Sequence, residues 1–91
     1  MKVRFFAYIR DYTGCLEADV PFRETVGSLA LSLCDRYGEK FRGKVLSPEG
    51  NDFGSEIIFM INGRHVAHLG GFNAPLAEDD TVFVFPVVAG G

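Results

Sequence analysis

The sequence predicts a single α+β domain in which a mixed sheet of about four to five strands carries one main helix across one face. Three observations predict this class: an alternating hairpin pattern in residues 2–22, an amphipathic helix pattern in 26–37, and two strand-length apolar runs at 57–61 and 81–85. The chain has 91 residues, of which 47% are hydrophobic and 23% charged, as is typical of one small folded domain.

The first element is a predicted strand over Lys2 to Arg10, because its residues alternate with a period of two. One face should pack against the core and holds Val3, Phe5, Ala7 and Ile9. The other face places Phe6 and Tyr8 among three cations, which makes it a candidate contact patch, with ordinary cross-strand packing as the alternative. A turn at 11–14 and renewed alternation from Leu16 to Phe22 complete a β-hairpin.

The main helix is predicted from Thr25, a good N-cap residue, to Gly38, a good C-cap. Its apolar positions recur at helical spacing and should face the sheet; they are Val26, Leu29, Ala30, Leu33, Cys34 and Tyr37. A short helical turn at 41–46 and a loop at 47–55 follow.

The apolar run Ile57–Ile61 predicts a strand, and Asn62-Gly63 predicts a tight turn into a short return strand at 64–68. On such a strand His65 and His68 would point to opposite faces and so would not share a metal ion. A glycine-rich connector leads to the last strand, Thr81 to Phe85.

The sheet is expected to stop at Pro86, which cannot donate a ladder hydrogen bond. We therefore divide the chain into a domain at 1–86 and a flexible, outward-projecting tail at 87–91 that would reach roughly 16 Å if extended. Gly90 and Gly91 have no side chains, so a narrow channel in another protein would admit them. The terminal carboxylate is a poor electrophile until a partner activates it, most simply with a nucleotide; the alternative is an idle, frayed terminus.

Charge and composition exclude several function classes. A net charge of −3 without a basic run argues against nucleic-acid binding. No segment approaches the roughly 18 apolar residues of a membrane span, and no signal peptide is recognisable, so we expect a cytoplasmic protein. Cys15 and Cys34 lack zinc-site spacing and are expected to be buried or half-buried free thiols, and no metal site is predicted.

The order of these elements is that of a ubiquitin-like β-grasp, and several stretches resemble the MoaD/ThiS-type sulfur carriers, most closely the small subunit of molybdopterin synthase. Residues 3–10 with Gly14, Thr25-Val26, Ile61-Asn62-Gly63, Phe85-Pro86 and Val88-Ala89-Gly90-Gly91 carry the resemblance. It spans nearly the whole chain.

The resemblance implies a carrier without catalytic residues of its own and without a bound cofactor. An adenylating enzyme related to those that charge ubiquitin would use ATP to activate Gly91, which then becomes a thiocarboxylate beside the slim Gly90. The tail would enter the large subunit of molybdopterin synthase and give its sulfur to a pterin precursor, which forms the dithiolene of molybdopterin. Six residues are expected to contact such partners: Phe6, Tyr8, Arg10, Phe85, Pro86 and Val88.

Two departures from the family pattern leave alternatives open. The usual Phe-Pro-Pro-Val run is Phe85-Pro86-Val87-Val88 here, so one stiffening proline is absent. The loop at 47–55 is longer than in the most compact members, and longer forms resemble archaeal-type ubiquitin-like modifiers that are joined to lysines. A sulfur carrier for thiazole or cysteine synthesis would share the same chemistry.

Overall fold

A computed structural model describes residues 1–87 of the chain. Its elements in order are β1 (Lys2–Phe5), α1 (Ile9–Thr13), β2 (Glu17–Asp19), α2 (Val26–Tyr37), α3 (Glu39–Val45), β3 (Ile57–Ile61), β4 (Arg64–His65), two 3-10 turns (Val66–His68 and Gly71–Asn73) and β5 (Thr81–Pro86). The predicted α+β class is confirmed, and the one main helix is accompanied by two shorter ones.

The five strands form one sheet in the order β2-β1-β5-β3-β4. β1 and β5 run parallel at the centre, and the other neighbours are antiparallel, so the sheet is mixed as predicted. The first and last strands of the chain are therefore hydrogen-bonded neighbours. This is the ubiquitin-like β-grasp arrangement.

Helix α2 forms where its sequence signals place it. The Thr25 hydroxyl accepts a hydrogen bond from the Ser28 amide at 3.2 Å, and the Gly38 amide donates to the Cys34 carbonyl at 2.9 Å. Gly38 has φ 93°, a conformation that glycine adopts most readily. The apolar side of α2 is buried as predicted, with Leu33 only 1% exposed, except that Tyr37 is half-buried.

The predicted strand from Lys2 to Arg10 is wrong in its second half. The strand ends at Phe5, the chain turns through Ala7 at φ 52°, and helix α1 begins at Ile9. Ile9 is 1% exposed, so the turn and the helix bury an apolar side chain that the sequence had also assigned to the core, whereas Ala7 is exposed. Gly14 ends α1 in the left-handed conformation that glycine permits.

The second strand of the hairpin is shorter than predicted. Ala18 and Val20 are buried as the alternation requires, but Leu16 is 57% and Phe22 is 37% exposed. The strand covers only Glu17–Asp19, and Pro21, which has no ladder donor, lies just beyond it. The apolar alternation thus continues past the point where the sheet ends.

The Asn62-Gly63 turn joins β3 to β4 with positive φ at both residues, as the hairpin signal predicts. The Asn62 side chain donates to Asp80 Oδ1 at 2.8 Å and accepts from the Thr81 amide at 2.9 Å, which ties the turn to the start of β5. The return strand predicted to reach His68 ends at His65 instead, because the His65 Nδ1 atom accepts the Ala67 amide at 3.0 Å and starts a 3-10 turn.

The last strand continues one residue further than predicted. Pro86 pairs with Ile57 within β5, and the Val87 amide donates to the Glu56 carbonyl at 2.8 Å. By the alternation of an antiparallel ladder, the nitrogen of Pro86 then faces the β1 side. Because β1 ends opposite Val84, no strand there requires the missing donor.

The core lies between the sheet and the helices. Its largest fully buried side chains are Phe41, Phe59, Ile9, Leu29 and Leu33, with valines from β1, β5, α2 and α3. No helix within residues 1–87 is long and apolar enough to cross a lipid bilayer.

Candidate functional site

Three phenylalanines form an aromatic patch on the sheet face that points away from the core. We define the patch as Phe6, Phe83 and Phe85, all of which are half-buried. The Phe6 and Phe85 rings stack with centroids 4.3 Å apart and planes 12° apart, and Phe83 lies 5.9 Å from Phe6 and 6.5 Å from Phe85. Contiguous aromatic side chains at a protein surface are a common feature of protein contact sites.

Two features of the sequence build this patch. Along β5, Val82 and Val84 point into the core, so Phe83 and Phe85 point outward. Phe6 follows the end of β1, and its amide donates to the Val84 carbonyl at 3.1 Å, which brings its ring beside Phe85.

The patch continues onto the next strand. Met60 pairs with Phe83 and Ile58 pairs with Phe85, and both β3 residues are half-buried on the same face. The sequence reasoning named Phe6 and Phe85 but missed Phe83 and these two residues. The two-residue period of β5 was sufficient to find Phe83, whereas Ile58 and Met60 required the strand register.

The structure separates Tyr8 and Arg10 from the aromatic patch. Tyr8 is the N-cap residue of α1, is 38% exposed, and has the Lys44 Nζ atom 5.7 Å above its ring. Arg10 lies within α1, and its Nε atom donates to the Ala7 carbonyl at 3.1 Å. The two residues therefore flank the turn after Phe6 and do not share a strand face with it.

The Arg4 side chain borders the patch at Phe6, and a separate ion pair lies near Tyr8. The Arg4 guanidinium lies 5.8 Å from the centre of the Phe6 ring and also pairs with Glu17 at 3.6 Å. Near Tyr8, the Lys44 ammonium donates a hydrogen bond to the Glu56 carboxylate at 3.3 Å, and this bond raises the pKa of the lysine. An apolar centre with a charged border is the usual anatomy of a protein interface.

Pro86 and Val87 lead the chain away from the patch. Pro86 is buried against its own domain, whereas Val87 is 39% exposed. Val88, Gly90 and Gly91, together with the predicted projection of the tail, lie outside the described residues.

The two cysteines are free thiols, one half-buried and one buried, as predicted. Burial raises the pKa of the Cys34 thiol to about 11, so it stays protonated at neutral pH and is a poor nucleophile. The Cys15 sulfur lies 3.8 Å from the Tyr37 hydroxyl.

The two histidines lie closer together than the sequence prediction allowed. Because the 3-10 turn replaces a strand, their ring centroids are 6.1 Å apart, so the opposite-face interpretation is wrong. His65 Nδ1 accepts an amide proton, which requires neutral His65 to carry its own proton on Nε2. Within residues 1–87, no group of three or more His, Cys, Asp or Glu residues is placed to hold a metal ion.

The comparison with protein families decides the identity of the chain. The ThiS family model matches residues 3–91. The chain belongs to the ThiS family. This is a family of ubiquitin-like sulfur carriers and modifiers, and the resemblance drawn from the sequence is confirmed at that level.

The similar proteins include both modifiers and a molybdopterin-related protein. Small archaeal modifier protein 3 of Haloferax volcanii is 34% identical, and the match covers 100% of this chain and 98% of the relative. The small archaeal modifier protein 1 of Methanosarcina acetivorans is 30% identical with a TM-score of 0.81, covering 99% of this chain and 94% of its own.

A third similar protein is the putative molybdopterin converting factor subunit 1 of Pyrococcus furiosus. It is 28% identical with a TM-score of 0.75, and the match covers 96% of this chain and 95% of that protein. This ThiS-family chain therefore shares its whole fold with proteins of both descriptions.

Proposed function

We propose that this chain is a sulfur carrier whose Gly91 is adenylated and thiocarboxylated by partner enzymes, and that it donates the sulfur in molybdopterin biosynthesis. The observation that carries this proposal is the position of the aromatic patch on β5, directly before the terminal residues. From Phe85 to Gly91 an extended chain spans roughly 20 Å. A partner that binds the patch therefore keeps the Gly91 carboxylate within that distance of Phe85, where the active site of the partner can reach it.

The chemistry requires nothing catalytic from this chain. The Gly91 carboxylate attacks the α-phosphorus of ATP on the activating enzyme, pyrophosphate leaves, and an acyl adenylate forms. Hydrosulfide supplied by a partner then attacks the carbonyl carbon, AMP leaves, and a thiocarboxylate remains. This scheme needs no cofactor on the chain itself, and Cys34 takes no part because its thiol is buried and protonated.

Two partners follow from this scheme. One is an adenylating enzyme related to ubiquitin-activating enzymes, and the other is the large subunit of a molybdopterin synthase. The similarity to the Pyrococcus protein supports the second partner, since that protein is described as a putative molybdopterin converting factor subunit. A cytoplasmic location belongs to the same proposal, because the activating enzyme consumes ATP.

Reconstitution tests the recipient of the sulfur. The thiocarboxylated chain is mixed with the large subunit and the pterin precursor, and dithiolene formation is followed together with loss of the thiocarboxylate. Stoichiometric transfer is expected, and a chain that keeps its sulfur under these conditions contradicts the molybdopterin assignment. Sulfur carriers for thiazole or cysteine synthesis share the first two steps and would instead discharge to their own synthases.

Conjugation to proteins is the second candidate, and the 34% identical relative described as a small archaeal modifier favours it. Here a lysine amine attacks the acyl adenylate at Gly91, AMP leaves and an isopeptide bond forms. Mass spectrometry of digested cell protein would reveal branched peptides ending in the residues of this tail. Their absence under several growth conditions, with the free chain abundant, removes this candidate.

A further inference from the structure

A second candidate surface lies at the free edge of β2, which is the edge of the sheet farthest from β4. Among the described residues β2 pairs only with β1, so β2 is an edge strand. The ladder uses Leu16 and Val20, since the Phe5 amide donates to the Leu16 carbonyl and the Val20 amide to the Met1 carbonyl. By the alternation of an antiparallel pair, the backbone groups of Glu17 and Asp19 point away from β1.

A groove of about 290 Å³ runs between the end of this strand and helix α2. Buried Val20 and Leu33 contribute apolar surface to it, and Pro21 and Ser32 complete its walls. Exposed Leu16 and Phe22 lie on either side of β2 along the chain. An open strand edge beside an apolar groove provides backbone hydrogen bonds and side-chain pockets together, which is how extended peptides are bound by strand addition.

The charges around the groove favour an acidic peptide. Arg23, Arg36 and Asp35 line it, and within residues 1–87 neither arginine makes an ion pair. The acidic residues of β2 itself are already engaged, because Glu17 pairs with Lys2 and Arg4. Asp19 likewise pairs with the N-terminal amine at 3.4 Å. The positive charges available to a ligand therefore outnumber the negative one.

We propose that the β2 edge and this groove bind an extended peptide in which a run of apolar residues adjoins a run of acidic ones. The peptide adds as a strand beside Glu17 and Asp19, its apolar side chains enter the groove over Leu33, and its carboxylates meet Arg23 and Arg36. This site is separate from the aromatic patch on β5. A partner can therefore hold the carrier here while another enzyme acts on the tail.

The test is a titration of the isotope-labelled chain with the peptide acetyl-Val-Ile-Val-Ile-Asp-Glu-Asp-Glu-amide, followed by amide chemical shifts. We expect the largest shifts at residues 16–23 and 32–36, and weaker binding at higher salt. A peptide with the same apolar residues followed by four lysines is the control and should bind more weakly. Shifts centred on the aromatic patch, or none up to the solubility limit of the peptide, overturn the proposal.

Two variants separate the charge and backbone contributions. Reversing both arginines (Arg23→Glu with Arg36→Glu) should weaken binding roughly three- to tenfold, as expected for the loss of two exposed ion pairs. Arg64→Glu on the opposite edge strand is the matched control and should leave binding unchanged.

Asp19→Pro removes an outward backbone donor, so it should weaken binding more than Asp19→Ala, which removes the side chain alone. Melting curves establish that each variant is folded. Equal affinities of the two Asp19 variants contradict strand addition. Because the chain without Gly90 and Gly91 should bind the peptide unchanged, the result does not depend on the proposed chemistry of the tail.

Discussion

The ring of Phe6 lies parallel to the ring of Phe85, with centroids 4.3 Å apart and planes 12° apart. Phe6 directly follows β1, and Phe85 is the penultimate residue of β5. The stack therefore joins the start of the chain to the strand from which the terminal residues leave. A partner that covers these rings contacts the inner strands of the sheet, next to the point where the C-terminal segment begins.

Phe6→Ala should weaken binding of the large synthase subunit by about 10- to 100-fold, because central aromatic residues contribute most of the free energy of an interface. Binding is measured by calorimetry on the thiocarboxylated chain. Leu31→Ala is the control, since Leu31 is 38% exposed on α2, away from the patch. Equal affinities of the two variants would show that the patch is not the docking surface.

Leu33→Ala should lower the free energy of unfolding by about 2–5 kcal/mol, because Leu33 is 1% exposed and its removal leaves a cavity. Deleting Gly90 and Gly91 should leave the unfolding curve unchanged, since the buried core residues found within 1–87 all lie between Val3 and Val84. Denaturant unfolding of both variants measures this. A large loss of stability on deletion of the two glycines contradicts the division into domain and tail.

Gly27→Ala should destabilise the domain, whereas Gly43→Ala should not. A Cβ atom on Gly27 would meet Phe72 ring atoms at 2.5 Å and the Phe72 carbonyl oxygen at 2.6 Å, so the backbone itself has to move. At Gly43, inside α3, nothing lies within 4 Å, and alanine favours the helix by up to about 1 kcal/mol. Melting temperatures should therefore shift in opposite directions, and a shared direction contradicts the close packing of α2 on Phe72.

Stability should fall as pH rises from about 9 to about 11. Burial raises the pKa of the Cys34 thiol from 9.0 to about 11, so in this range the unfolded chain loses a proton that the folded chain keeps. The contribution is fully present below pH 9 and is lost above pH 11, with a size on the order of 2 kcal/mol. Cys34→Ala should flatten this decline in urea unfolding measured at several pH values.

Tyr37 supplies the comparison for that experiment. Burial raises the pKa of its hydroxyl too, so some slope should remain in the Cys34→Ala chain and should diminish further with Tyr37→Phe. A decline that is equally steep with and without Cys34 contradicts a protonated, buried thiol.

The sequence was most informative where local signals and burial agree. Thr25 caps α2 and Gly38 ends it because capping chemistry depends on residues a few positions apart. The Asn62-Gly63 turn was equally readable, because it needs positive φ at neighbouring residues. The apolar period of α2 identified Leu33 as core for the same reason.

The errors arose where a neighbouring strand decides the outcome. Alternation in residues 2–10 predicted one long strand, but β1 stops at Phe5 and the turn at Ala7 sends Ile9 into the core from a helix. Pro86 remains in β5 because β1 has ended on the side its nitrogen faces. Neither fact is visible without the pairing of strands that are about eighty residues apart in sequence.

Only part of the candidate site was predictable, because the rest depends on how the strands pair. Phe6 and Phe85 were found from the sequence, but Ile58 and Met60 joined them only through the register of β3 and β5. His65 and His68 were assigned to opposite faces because a strand was assumed, whereas the hydrogen bond from the Ala67 amide starts a 3-10 turn.

The intact mass of the chain, after incubation with its activating enzyme, ATP and a sulfur donor, tests the central claim most directly. We expect a gain equal to the exchange of one oxygen for one sulfur, located in the C-terminal peptide and absent from a variant without Gly90 and Gly91. An unchanged mass, or a gain that persists in that variant or lies on Cys15 or Cys34, contradicts a sulfur carrier that works through Gly91.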